Sequence, residues 1–202
     1  MPRQNRVLPT GEIVAHPAHG LFMGNRGVLH DASGELTAKR WAHQNWVCCL
    51  TAFKNRKRPL MQPNRYTELF FLDEAVAFAA GHRPCAECRR ADYTAFRAAL
   101  DQPGKAADLD RHLHAARAIP RRAQLRRHEA EAQDLPTGAM ILDADGRPLL
   151  LTENAARPCA PDGYGPPHPR PSGRVTLLTP PPYLEAFRNG YSPRLHPSAQ
   201  IG

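Results

Sequence analysis

Hydrophobic and polar positions divide the chain into an extended first third, a helical middle and an extended end. Residues 7–30 hold short apolar runs, V-L-P, I-V-A and L-F-M, each broken by Gly, Pro or His, a pattern of strands joined by tight turns. Residues 40–53, R-W-A-H-Q-N-W-V-C-C-L-T-A-F, are rich in aromatic and branched side chains and free of Gly and Pro, so they predict a strand. K-N-R-K-R then predicts a basic hairpin tip, and P-L-M-Q-P-N-R-Y-T-E-L-F-F a return along an extended path. The expectation is a small antiparallel β unit.

The period then changes. Asp73 stands where an N-cap would, E-A-V-A-F-A-A forms helix readily, and Gly81 suits the left-handed position that ends one. After G-H-R-P-C-A-E-C, residues 89–100 predict a second helix, and residues 105–132 are helix formers interrupted by Pro120. A-M-I-L-D-A-D-G-R-P-L-L-L predicts a hairpin turning on Asp-Gly. A proline-rich loop over 157–172, a strand R-V-T-L-L-T and a short helix P-P-P-Y-L-E-A-F-R with Gly190 beyond it complete the chain. The fold class expected is α+β: a zinc-type β/α unit over 1–102, a basic helical connector over 103–134 and a β-rich unit over 135–202.

Composition narrows what such a chain can do. Its 202 residues carry a formal charge of +8, and the 42% hydrophobic share suffices for a packed core. No run approaches the ~18 apolar residues of a membrane span, and the first residues lack the apolar core of a secretory signal, so the expectation is a cytoplasmic protein that does not enter a membrane. Only four of the 27 basic residues are Lys. Arginine forks suit phosphate, although a GC-rich genome gives the same bias.

Five cysteines, at 48, 49, 85, 88 and 159, are an odd number with one tight C-x-x-C pair. That points to metal or redox chemistry rather than a disulfide scaffold. Cys85 and Cys88 have the spacing at which two thiolates of one turn hold a tetrahedral zinc. A redox pair is the alternative, but such pairs lie between a strand and a helix, whereas this one is expected between two helices. Neighbouring strand residues point to opposite faces, so only one of Cys48 and Cys49 can readily join, and Cys49 is the expected third ligand. Cys48, His30, His43 and His82 are the candidates for the fourth. Cys159, in a distant proline-rich segment, is expected to stand apart.

Residues 66–90, Y-T-E-L-F-F-L-D-E-A-V-A-F-A-A-G-H-R-P-C-A-E-C-R-R, resemble the zinc-binding module of the Ada DNA-repair protein, with its aromatic strand, Ala-rich helix and R-P-C-x-x-C turn. The whole chain also resembles a family of uncharacterised bacterial proteins sharing M-G-N-R-G, G-x-R-P-C-A-E-C-R-R and G-Y-G-P-P. The Ada likeness implies a zinc site on Cys49, Cys85 and Cys88. It departs at the other half-site, where Ada has C-x-x-x-C and this chain has Cys48 and Cys49 side by side, so the family's methyl-acceptor role passes to no particular residue.

From Leu36 to Thr67 there are seven basic residues and no acidic one: Lys39, Arg40, Lys54, Arg56, Lys57, Arg58 and Arg65. Trp41, His43, Trp46 and Tyr66 are interleaved with them, as phosphate contacts with stacking rings require. Arg111 to Arg127 reads as a second, helical cationic face. His16, His19, His112 and His114 are scattered. Asn25, Arg26, His30 and Asp31 suggest a polar pocket, and M-G-N-R-G a turn close enough to meet a phosphate or merely a β-turn. No hydrolase or phosphate-loop signature accompanies them. The function expected is a zinc-stabilised nucleic-acid-binding protein, DNA before RNA, in repair or damage response. The alternatives are a nuclease or zinc-thiolate alkyl acceptor, and a zinc-stapled protein-interaction module.

Overall fold

The protein is described from a computed structural model covering residues 1–55, 59–102 and 104–200. The fold is mixed α+β, as expected. The first sheet uses β1 (Gln4–Val7), β2 (Ile13–Ala15), β3 (Phe22–Asn25), β4 (Val47–Leu50), β5 (Leu69–Phe71) and the two-residue β6 (Arg83–Pro84), in the order β2-β1-β5-β3-β4-β6. It is not purely antiparallel. β5 inserts between β1 and β3 and runs parallel to β1, and β6 runs parallel to β4. Strand character over 40–53 shrinks to Val47–Leu50.

Helix α1 (Glu74–Ala79) follows β5 directly. Asp73 caps it as expected, its Oδ1 accepting from the Val76 N–H at 3.0 Å, and Gly81 takes φ +85° just beyond its end. Every residue of α1 is buried. Its Ala-rich surface lets neighbours approach from all sides, which makes it the centre of the molecule rather than a surface helix. After β6 come α2 (Arg90–Ala99) and α3 (Ala106–Arg117).

The expected helical connector ends at Arg117. β7 (Ala118–Ile119) and β8 (Gln124–Leu125) form a small hairpin instead, turning after Pro120 through Arg121 and Ala123, both with positive φ. Pro120 lacks the N–H that a continuing helix needs. The second cationic cluster is therefore not one helical face: Arg111 pairs with Asp108, Arg117 turns into the interior, and the others lie beyond α3.

The second sheet uses β9 (His128–Glu131), β10 (Met140–Leu142), β11 (Pro148–Leu151), β12 (Ala156–Ala160), β13 (Gly163–Tyr164) and β14 (Arg174–Leu177), in the order β13-β12-β11-β10-β14-β9. The Asp-Gly hairpin is present between β10 and β11, while the expected proline-rich loop contributes two strands. α4 (Pro181–Arg188) follows with its prolines in the first turn.

Two buried clusters hold the molecule together, and each draws on residues before 102 and after 135. One gathers Phe78, Tyr93, Phe96 and Leu113 with Ile141, Leu149, Leu151, Tyr183 and Phe187. The other gathers Val7, Phe22, Leu69, Phe71 and Val76 with Met140, Leu150, Tyr164 and Leu178. Leu149 and Leu151 face one cluster and Leu150 the other, so this strand is buried on both faces. That explains an L-L-L run with no polar alternation.

Candidate metal centre and its cleft

The end of β4 and the turn after β6 meet because β6 pairs with β4, and the Cys85 N–H donates to the Cys48 carbonyl at 2.9 Å. That pairing brings Cys49 to the C-x-x-C turn. The sulfurs of Cys49, Cys85 and Cys88 all lie within 4.8 Å of one another, a group that can hold a metal ion. The Glu87 N–H points to the Cys85 sulfur and the Leu50 N–H to the Cys88 sulfur, each at 3.4 Å. Such donors favour thiolate. The hydrogen bond from Cys49 holds the Cys85 thiol down at about 5 and lowers Cys88 too, whereas Cys49, bonded to both sulfurs, is pushed up.

Cys48 lies on the other face of the strand, fully buried, its sulfur accepting from Arg89 at 3.3 Å. None of the four fourth-ligand candidates joins the group. His30 is held by the Thr67 hydroxyl at 2.6 Å and contacts the Gln62 carbonyl, and His43 contacts the Asn25 amide oxygen. His82 is sealed against Phe71 and Trp46. Cys159 is on β12, beside Tyr164 and outside the group. Among the described residues no imidazole or carboxylate completes the three-sulfur set.

The three sulfurs line a cleft of about 340 Å³. Phe53, Tyr66 and Phe70 supply aromatic surface, and Asn25, Glu68 and Glu87 supply polar groups. Glu68 is only 5% exposed, and its Oε2 accepts from the Met61 N–H at 2.7 Å. Of these residues the sequence pointed only to Tyr66 among the interleaved aromatics and Asn25 in the expected pocket. Glu68 and Phe70 were hidden in a strand pattern, where alternation tells which face a residue takes but not what it faces.

The approach to the turn is braced. Arg83 makes paired bonds of 2.8 Å to both Asp110 oxygens, and Arg89 bonds Glu74 at 2.6 Å. Glu74 also accepts from the Tyr191 hydroxyl and the Arg194 N–H, so the residues flanking the cysteines are tied to the C-terminal segment.

Of the basic stretch, Lys39, Arg40, Lys54 and Arg65 are exposed, while Arg56, Lys57 and Arg58 lie outside the described residues. Lys54 has the carboxylate that the sequence did not offer it locally: its Nζ is 3.8 Å from Glu87. The expected polar pocket on the N-terminal turns does not form. Asp31 caps its own loop, and Arg26 turns inward, away from His30. Comparison with protein-family models, with curated proteins and with solved structures finds no match for this chain.

Proposed function

We propose that the protein is a zinc protein whose ion is held by Cys49, Cys85 and Cys88 and whose remaining coordination position faces the cleft. The observation that carries this reading is a three-sulfur group on the wall of a cleft with, among the described residues, no fourth protein ligand beside it. Thiolates are soft donors that favour zinc, and a structural site is closed by four protein ligands while a reactive one keeps a position open. Bound there, zinc supplies Lewis acidity toward whatever enters. Phe53, Tyr66 and Phe70 would receive the apolar or planar part of that ligand, and Asn25 and Glu68 would orient its polar part. Cobalt substitution tests this reading. A cobalt-loaded protein whose visible spectrum changes on adding imidazole has an accessible position, and one whose spectrum is indifferent is closed.

A second reading makes nucleic acid the ligand, as in a DNA-binding or repair protein. It is favoured by the stretch from Leu36 to Thr67, which carries no carboxylate and supplies Phe53, Leu60 and Tyr66 to the cleft, with Lys54 beside Phe53. Anisotropy of labelled single- and double-stranded DNA and RNA at two salt concentrations tests it, since phosphate contacts give a steep salt dependence.

A further inference from the structure

On the side of β3 and β4 away from the three-sulfur group lies a cluster of buried cations. Arg26, from M-G-N-R-G, and Arg117, from the end of α3, are each 1% exposed, and both lie over the Trp46 ring, at 4.6 and 4.2 Å. Among the described residues neither bonds a carboxylate. Arg26 donates to His82 Nε2 at 3.4 Å and to the Gly11 and Ala80 carbonyls at 3.3 and 3.2 Å, and Arg117 to the Gly81 and Gln44 carbonyls and the Tyr183 hydroxyl. Two guanidiniums buried with neutral hydrogen-bond acceptors alone, and only the Asp110 charge acting favourably on Arg117, are a costly arrangement. Polar atoms around them are orphaned as well: Arg117 Nε and the Nδ1 atoms of His43, His82 and His114 are buried without a partner among the described residues. Because His82 Nε2 accepts from Arg26, its unpaired Nδ1 carries the proton.

Arg26 forms the buried inner wall of a groove of about 260 Å³ bounded by the Thr10–Glu12 turn, Arg40, Trp41, Leu125 and Arg127. Three guanidiniums line it against one carboxylate, Glu12. The burial of Arg26 and its repulsion by Arg117 and Arg40 lower its pKa to about 9. A bound anion would relieve that repulsion. Gly11, at φ +85°, lets Leu125 pack directly onto the turn, since a Cβ there would stand 2.2 Å from Leu125 Cδ1.

We propose that the groove between Arg26, Arg40 and Arg127 binds a phosphate group, with Trp41 as the surface against which the attached organic part rests. Planar forks match phosphate oxygens in pairs, and the buried cations behind the groove complement the negative charge. The site stands apart from the metal centre and does not depend on it. The phosphate can come from a small phosphoester or from a nucleic-acid strand, and the test separates the two.

The test uses the exposed residues, so that folding is preserved: Arg40→Gln with Arg127→Gln, against wild type. Thermal-shift titrations with inorganic phosphate and adenosine 5′-monophosphate report the small ligands through the stabilisation that binding confers. Anisotropy of labelled dodecathymidylate at about 50 and about 200 mM salt reports the strand. The double variant is expected to weaken phosphate binding about tenfold, and, if a strand is the source, to flatten the salt slope by about 1.4, or ~0.7 for each phosphate no longer neutralised. Arg26→Lys, which keeps charge without the fork, should fall between. Phosphate binding without strand binding keeps the groove and removes the nucleic-acid reading. Small-phosphate binding unchanged in the double variant removes the groove, and strand binding unchanged beside weakened small-phosphate binding places the strand elsewhere and makes a small phosphoester the groove's ligand. No binding of any of the three probes by wild type overturns the proposal.

Discussion

Replacing Asp110 by Ala should destabilise the protein more than any exposed charge change. Arg83 and Asp110 are 5% and 7% exposed at the side chain, and their two bonds of 2.8 Å form a closed fork. In Asp110→Ala the guanidinium stays buried, with the Pro84 carbonyl and the Tyr93 ring, 5.1 Å from its centre, as remaining company. Breaking one side of a buried pair costs about 3–5 kcal/mol, mostly because a charge is left uncompensated. Against a typical total of about 5–15 kcal/mol this is a large loss, equivalent to roughly 6–20 °C in Tm at about 2–4 °C per kcal/mol. Arg83 immediately precedes Pro84-Cys85, so the same change should loosen the turn and weaken metal retention. Urea unfolding of metal-free wild type and variant, with the double variant Arg83→Met/Asp110→Leu, separates charge from packing: the double variant should recover most of the loss. A loss under about 1 kcal/mol in Asp110→Ala, or a double variant worse than the single, would mean that the buried Arg83 charge does not depend on Asp110.

Burial holds His82 well below its ordinary pKa and His114 at about 4. The unfolded chain therefore takes up protons that the native one refuses, and their stability contribution, complete above about pH 6.5, is lost as pH falls toward 4. Urea midpoints should drop as pH falls below 6.5, and drop less in His114→Gln, with the raised carboxyls of Asp73 and Glu74 acting in the opposite sense in both proteins; identical profiles for wild type and variant contradict the buried neutral state. Phe78→Ala should cost about 3–5 kcal/mol, because the ring is fully buried against Phe96, Tyr183, Phe187 and Tyr191; calorimetry showing a small change would mean that the site collapses. Cys159→Ala should leave metal content unchanged by elemental analysis, since that thiol lies outside the sulfur group.

What the sequence revealed was local. The Asp73 cap, the helix ending at Gly81, the Asp-Gly hairpin and the separation of Cys48 from Cys49 all follow from interactions within a few residues. The parallel pairing of β6 with β4 does not, because a two-residue strand has no periodicity to read. Yet this pairing assembles the sulfur group. Arg117 read as part of a cationic helical face and Arg26 as part of a polar pocket, and only the tertiary packing of Trp46 between elements far apart turned both inward. The expected helix after Pro120 failed for a different reason: favourable composition there yields to a proline and two positive-φ residues that set a hairpin.

The three-cysteine zinc centre stands or falls on elemental analysis of protein purified without chelator. About one zinc per chain is expected, lost in Cys49→Ser, Cys85→Ser and Cys88→Ser and retained in Cys48→Ala. Metal-free protein that takes up no added zinc, with all three thiols freely reactive, or zinc retained after any of the three serine substitutions, would contradict it.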